Sequence, residues 1–214
     1  MKKIYLIRHA QSESNAGKCI RPNADINITK LGQGQAQTLS HWLGHHIDTP
    51  IDKVFVSPYV RTQQTAQPFL TTLSDVPVEM IEPLHEFNYL AYDHIKDMSF
   101  SKLVKVSDEY WQRADKHFQA NDSTESYVQF VGRVRQTRQI FADLPDGTYV
   151  AFGHGMWLGM LMWQLLHHDN EHRLMNMHAF RQFELLVRPK NCEVYLLTGD
   201  ELAITKVRAR GDED

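Results

Sequence analysis

The stretch "IYLIRHAQSESNAG", residues 4–17, decides how the rest of the chain is read. Four apolar residues stop at an arginine beside a histidine, and small polar residues follow. So short an apolar run fits a strand buried on both faces, the kind found in a parallel sheet covered by helices. In such sheets ligands collect beyond the carboxyl ends of the strands. Arg8 and His9 stand at such an end. A guanidinium fork matches a phosphate group, and the side chains of Ser12 and Asn15 can add hydrogen bonds. Taken alone, the same loop also reads as an ordinary capping turn with Arg8 at the surface.

Outward from this strand, apolar runs alternate with helical periodicity. Residues 29–46 predict a helix with Thr29 as N-cap and Leu31, Ala36, Leu39, Trp42 and Leu43 broadly at helical spacing. "KVFVS" (53–57) predicts a second strand, after which Pro58 opens a helix reaching about residue 73. Residues 76–81 predict a third strand, 101–118 a helix, and 125–144 a further helix closed by Pro145-Asp146-Gly147. "TYVAFG" (148–153) predicts a fourth strand, and the mostly apolar segment after it a buried helix. "QFELLVR" (182–188), "CEVYLLT" (192–198) and "LAITKVR" (202–208) predict late strands, the last two joined by a hairpin at residues 198–201. The expectation is an α/β fold: one domain over residues 1–208, with a mostly parallel central sheet and helices on both faces. Residues 87–123 are expected to be an insert over the site and 209–214 a flexible tail.

The 214 residues are 42% hydrophobic and 23% charged, with a formal charge of −3. That composition suits a soluble globular domain and gives no overall attraction for nucleic acid or an anionic membrane. Cys19 and Cys192 are the only cysteines, expected as reduced thiols. The apolar run after Lys2-Lys3 is shorter than the roughly 7–15 residues of a signal core, and no window approaches the roughly 18 of a membrane span. A cytoplasmic protein is therefore expected. The twelve histidines fall mostly in polar clusters such as His45-His46 and His167-His168, which read as solvated surface.

Two more turns at strand ends carry candidate chemistry. In "SPYVRTQQTA" (57–66), Arg61 falls on the first turns of a helix, whose N-terminus already favours anions. In "FGHG" (152–155), His154 stands between two glycines that permit close ligand approach. Either residue alone is as well explained by a solvated helix arginine or a capping histidine.

In combination these motifs resemble the histidine phosphatase superfamily, which includes the cofactor-dependent phosphoglycerate mutases. "RHAQSESN" is similar to its Arg-His-Gly-x-Thr/Ser-x-x-Asn signature and "SPYVRTQQTA" to its Ser-Pro-x-x-Arg-x-x-Gln-Thr-Ala segment. "LHEF" (84–87) resembles its Leu-x-Glu, and "FGHG" its second-histidine motif. The resemblance implies a phosphatase that hydrolyses a small phosphomonoester through a phosphohistidine on His9. It implies that Arg8, Arg61 and His154 surround the phosphoryl oxygens, that Ser12, Asn15 and Gly155 bind phosphate or substrate, and that Glu86 is the general acid and base. The cations would do the work a metal does elsewhere, so no metal or other cofactor is required. The sequence departs from the family pattern at Ala10, where glycine is usual. A methyl group there is tolerated at negative φ and strained at positive φ.

Three rival readings stand beside this one. A phosphoglycerate mutase of the same family would return the phosphoryl group to a sugar acid. The insert disfavours this, because Lys96, Lys102, Lys105, Arg113 and Lys116 are outnumbered by acidic residues. A metal hydrolase could use His168 and His172, with Asp169 and Glu171 between them, if all lay on one helix. A non-catalytic phosphate or phosphoprotein binder could use the same pocket without turnover.

Overall fold

Strands come first where apolar runs can be covered on both sides, and the computed structural model describes residues 1–168 and 170–209. In chain order the elements are β1 (Lys3–Arg8), α1 (Lys30–His46), β2 (Lys53–Val56), α2 (Val60–Leu70), β3 (Val78–Met80), α3 (Tyr92–Ile95) and α4 (Phe100–Arg113). Then follow α5 (Tyr127–Asp143), β4 (Thr148–Gly153), α6 (Gly155–His167), α7 (Glu171–Leu174), α8 (Met177–Val187), β5 (Val194–Thr198) and β6 (Ala203–Arg208).

The strands form one six-stranded sheet in the order β3-β2-β4-β1-β5-β6. The first four strands are mutually parallel; β5 pairs antiparallel with β1, and β6 antiparallel with β5. Side chains alternate across a strand, so Ile4 and Leu6 join one core while Tyr5 and Ile7 join the other. The first core packs α5, α6 and α8 residues, among them Phe130, Trp157 and Phe180. The second packs Ala36, Leu39 and Leu43 of α1 and Ala66 and Phe69 of α2. The sheet is thus mostly parallel with helices on both faces, as expected. Among the described residues no helix is long and apolar enough to cross a membrane.

Several expectations change. The "QFELLVR" segment is helical, not a strand, and belongs to α8. Asn176 caps that helix by accepting from the Ala179 N–H at 3.0 Å. Met177, Phe180 and Glu184 then fall on one buried face, while Leu185 and Leu186 are left exposed. The Leu-Leu-Val run looked strand-like only because its cap lies upstream of the run. Helix α2 begins two residues after Pro58, with Tyr59 as N-cap. Strand β3 shrinks to three exposed residues at the sheet edge. Helix α4 stops at Arg113 because Ala114 turns left-handed at φ 52°. The expected tail, apart from Ala209, lies outside the described residues, as does Asp169. His168 ends α6 at φ 50° and His172 sits in α7, so the two do not share a helix.

The parallel register places Arg8 opposite Gly153. The His9 N–H donates to the Gly153 carbonyl at 3.0 Å and the Ser57 N–H to the Phe152 carbonyl at 3.0 Å. The ends of β1, β4 and β2 therefore lie side by side. The first turn of α1 braces them: Thr29 accepts from the Gly32 N–H at 3.0 Å and donates to the Gln11 side chain at 2.8 Å. Gly32 is needed there, because a Cβ would lie 2.2 Å from the Gln11 carbonyl oxygen. Gly32→Ala is expected to destabilise the fold by about 1–3 kcal/mol, the usual cost of overpacking. Gly34→Ala on the same helix meets nothing within 4 Å and is expected to be neutral or to stabilise by about 0.5–1 kcal/mol. Urea unfolding of the two variants checks the contrast.

Candidate active site

His9 is 3% exposed and held from both ring nitrogens. Its Nδ1 lies 2.7 Å from the Ala10 carbonyl oxygen. A carbonyl can only accept, so Nδ1 carries the proton and Nε2 presents a lone pair. Arg61 Nε–H donates to that Nε2 at 3.1 Å. The Ala10 N–H donates to Thr65 Oγ1 at 2.9 Å, and the Thr65 hydroxyl donates to the Arg61 carbonyl. The loop after β1 and the first turns of α2 are thereby tied together. Ala10 is not among the residues at positive φ, so its methyl group is carried without backbone strain, and it packs in the second core.

Arg61 is fixed at its far end by Asn23, whose backbone and side-chain oxygens accept from Nη1 and Nη2. Burial lowers its pKa to about 10, with Glu86 opposing that shift. His154 is fully buried, and its ring centroid lies 5.2 Å from that of His9. Its Nε2 is 2.7 Å from Ser57 Oγ, whereas Nδ1 has no partner in the protein. When Ser57 donates to Nε2, Nδ1 is an unused donor. Burial, with Arg61 and then Arg8 beside it, holds His9 well below the usual imidazole range. Burial, Arg61 and His9 do the same for His154. Both rings are therefore neutral at pH 7.

Arg8 packs so closely on α6 that a Cβ at Gly155 would lie 3.0 Å from its Nε. Its Nη1 donates to the Pro189 carbonyl, and its buried Nε has no partner. Burial lowers the pKa of this guanidinium too, against the pull of Glu86. Glu86 accepts three backbone N–H bonds: Met156 at 3.1 Å, Trp157 at 3.0 Å and Phe87 at 2.9 Å. Two of these donors are in the first turn of α6, where a helix leaves its N–H groups unpaired and its dipole favours a carboxylate. Glu82, four residues earlier, is exposed and pairs with His85.

Arg8, Asn15, Glu86 and Gly155 line one cavity of about 710 Å³, together with Asn23 and Tyr59. His9, Arg61 and His154 are not on that lining: Arg61 bonds Asn23 of the wall, the His154 ring packs on Tyr59, and His9 is bonded by Arg61. Ser12 is buried and not on the wall. Its Oγ accepts from the Asn15 N–H at 3.2 Å, and Asn15 Oδ1 accepts from the Ser12 N–H at 3.3 Å. Residues 87–123 contribute Phe87, Tyr89, Tyr92 and Phe100 to the cavity, while Tyr110 and Trp111 pack in the core beneath. Among the described residues no group of three or more His, Cys, Asp and Glu side chains could hold a metal ion.

Four positioning residues were missed by sequence reasoning. Ser57 and Thr65 stand inside "SPYVRTQQTA" as uncharged residues with no distinguishing spacing. Asn23 had no signal. Asn191 had none either, yet its Nδ2 donates to the His9 carbonyl at 2.8 Å and to Asn15 Oδ1 at 3.1 Å.

Residues 4–205 match the model of the histidine phosphatase superfamily, branch 1. A probable phosphatase of Schizosaccharomyces pombe is 27% identical over 105 residues, 49% of this chain and 49% of that one. The chain thus matches about half the length of that curated relative. A probable phosphoglycerate mutase of Erwinia tasmaniensis is 28% identical over 171 residues, covering 78% of this chain and 75% of that one. The fold is that of a phosphoserine phosphatase of Entamoeba histolytica solved with 3-phosphoglyceric acid, at TM-score 0.69 and 19% identity, over 100% of this chain and 98% of that one.

The two neutral histidines have a consequence for stability. In the unfolded chain each binds a proton below about pH 6.5, whereas the folded chain resists protonation down to a lower pH. The unfolded state then holds more protons, so stability falls as pH drops below about 6.5. Each histidine adds up to about 1.4 kcal/mol per pH unit. Urea unfolding between pH 7.5 and 5 is expected to show this slope, reduced in His154→Gln; an equal slope in both proteins contradicts the assignment.

Proposed function

Since the chain belongs to the histidine phosphatase superfamily, we propose that it hydrolyses a small phosphomonoester through a covalent phosphohistidine on His9. The observation that carries this reading is the fixed tautomer of His9. The proton on Nδ1 is committed to the Ala10 carbonyl, so Nε2 offers its lone pair toward the cationic cluster. A buried neutral imidazole needs no deprotonation before attack.

In the first step Nε2 forms a bond to phosphorus while the bond from phosphorus to the alcohol oxygen breaks. Glu86 passes a proton to that oxygen as general acid. In the second step water attacks phosphorus, Glu86 takes the water's proton and the N–P bond breaks, releasing phosphate and restoring His9. Arg61 turns its donors from His9 and Asn23 to the phosphoryl oxygens. Arg8 Nε and His154 Nδ1, two buried donors without protein partners, complete the shell around the developing charge. Asn15 adds its amide from the cavity wall, and Gly155 keeps the space that Arg8 occupies. Ser12 acts by holding Asn15 in place. With Arg8, Arg61, His154 and Asn15 supplying donors around the phosphate, no metal is required, and we place the reaction in the cytoplasm.

The Erwinia relative's name keeps transfer to a second hydroxyl in view, and the same phosphohistidine would serve it. His9→Ala is expected to lower hydrolysis of an aryl phosphate at least 1,000-fold, about the scale on which losing a nucleophile acts. Glu86→Gln is expected to trap label from a radioactive phosphomonoester on the protein, in an acid-labile and base-stable form. Hydrolysis that persists in His9→Ala rules the nucleophile out. Activity is also expected to survive a strong chelator. Label recovered on unphosphorylated glycerate instead of in water would make the protein a mutase.

A further inference from the structure

Phosphate chemistry uses one end of the cavity, and a second charged cluster stands on its wall. Arg181, Glu184 and Arg188 of α8 and the residue just after it line the same space as Arg8 and Glu86. Glu184 is 1% exposed. Its Oε1 accepts from Arg188 Nε at 2.6 Å, and its Oε2 from Arg188 Nη2 and Arg181 Nη1, both at 2.8 Å. One carboxylate between two guanidinium groups leaves a net charge of +1 at the wall. The fork from Arg188 to Glu184 leaves its Nη1 outside the pairing, and Arg188 is 42% exposed.

Two glycines on α6 set the spacing between the clusters. A Cβ at Gly155 would lie 3.0 Å from Arg8 Nε, and one at Gly159 would lie 3.3 Å from Glu184 Cγ. Four residues of helix rise about 6 Å, so the two clusters meet the same helix face about one turn apart. Arg8 is also anchored on the carbonyl of Pro189, the residue that follows Arg188. Apart from Arg21, Asp108 and a few Ser and Asn side chains, the rest of the cavity is apolar: Phe87, Tyr92, Phe100, Leu103 and Val104 line it with Tyr89. Its volume of about 710 Å³ falls within the roughly 300–1,000 Å³ that houses drug-sized ligands. A bare three-carbon phosphate would leave most of that wall in contact with water.

We infer that Arg188, clamped with Arg181 on Glu184, is a second anion subsite, and that the substrate is a phosphomonoester whose alcohol portion carries an aromatic body and a carboxylate. This rests on the phosphatase reading above and names the substrate class of that site. A carboxylate balances the +1 of the cluster, and Arg188 presents it a planar donor edge. The aromatic body fills the space between Tyr89, Phe87 and Phe100. Glu184 positions Arg188 and does not touch the substrate.

Calorimetric binding of hydrolysis-resistant ligands to the intact protein tests this without turnover. The probes are 3- and 4-carboxybenzylphosphonate, each against its carbamoyl counterpart, which has the same shape and no charge. At least one carboxylate isomer is expected to bind about tenfold or more tightly than its counterpart. Arg188→Gln is expected to bring that ratio near one, and Arg188→Lys to keep part of it; an unfolding transition shared with the wild type shows that both variants are folded. Ratios near one for both isomers in the wild-type protein, or a ratio unchanged in Arg188→Gln, overturn the inference. Aryl phosphate hydrolysis, measured in parallel, separates the two claims. Selectivity without hydrolysis sinks the phosphatase reading alone, and hydrolysis without selectivity sinks the subsite alone.

Discussion

The parallel pairing of β1 with β4, with Arg8 opposite Gly153, is the constraint on which the site depends. A parallel ladder fixes register along its whole length, and a slip of one residue would turn every side chain to the other face. Here such a slip would exchange Ile4 and Leu6 for Tyr5 and Ile7 between two filled cores. The packing of both cores therefore sets where the strands end. Because β4 lies between β1 and β2, the residues after all three strands meet: His9, His154 and Ser57.

Burial then sets the charge state of that meeting point. Two imidazoles beside two guanidinium groups, with little water, stay neutral because a third or fourth cation in so small a volume costs too much. Arg8 and Arg61 are themselves lowered by burial, with the carboxylate of Glu86 as the largest opposing influence on each. An excess of buried donors with few acceptors is an arrangement that an incoming phosphate dianion would satisfy. The same excess makes the proposed chemistry and the stability of the fold respond to pH through the same rings.

The sequence made the sheet legible because its central strands are short, apolar and bounded by charged or glycine-bearing turns. His9, Arg61 and His154 were legible for a related reason: each follows such a strand or falls within the first turns after it, whereas Glu86 was legible only through the Leu-x-Glu resemblance. Helix α8 was misread because its cap, Asn176, precedes the apolar run by several residues, and local composition carries no trace of a buried Glu184. Asn23 and Asn191 were missed because they reach the site from loops, through contacts that join residues 38 and 182 positions apart. Pattern reading recovers what periodicity places. It does not recover what tertiary contact alone brings in.

Helix α6 connects these features in one element. It is apolar on nearly every face, so it is locked between α5 and α8 in the first core. Its N-terminal N–H groups hold Glu86, its first residue makes room for Arg8, and the residue before it is His154. One turn on, Gly159 admits Glu184. A helix with alanine at both glycine positions would keep its propensity, and even improve it, yet it would push away both arginine clusters. Those two glycines are therefore best explained by what packs against them, which ties the proposed phosphate site and the second anion subsite to one rigid element.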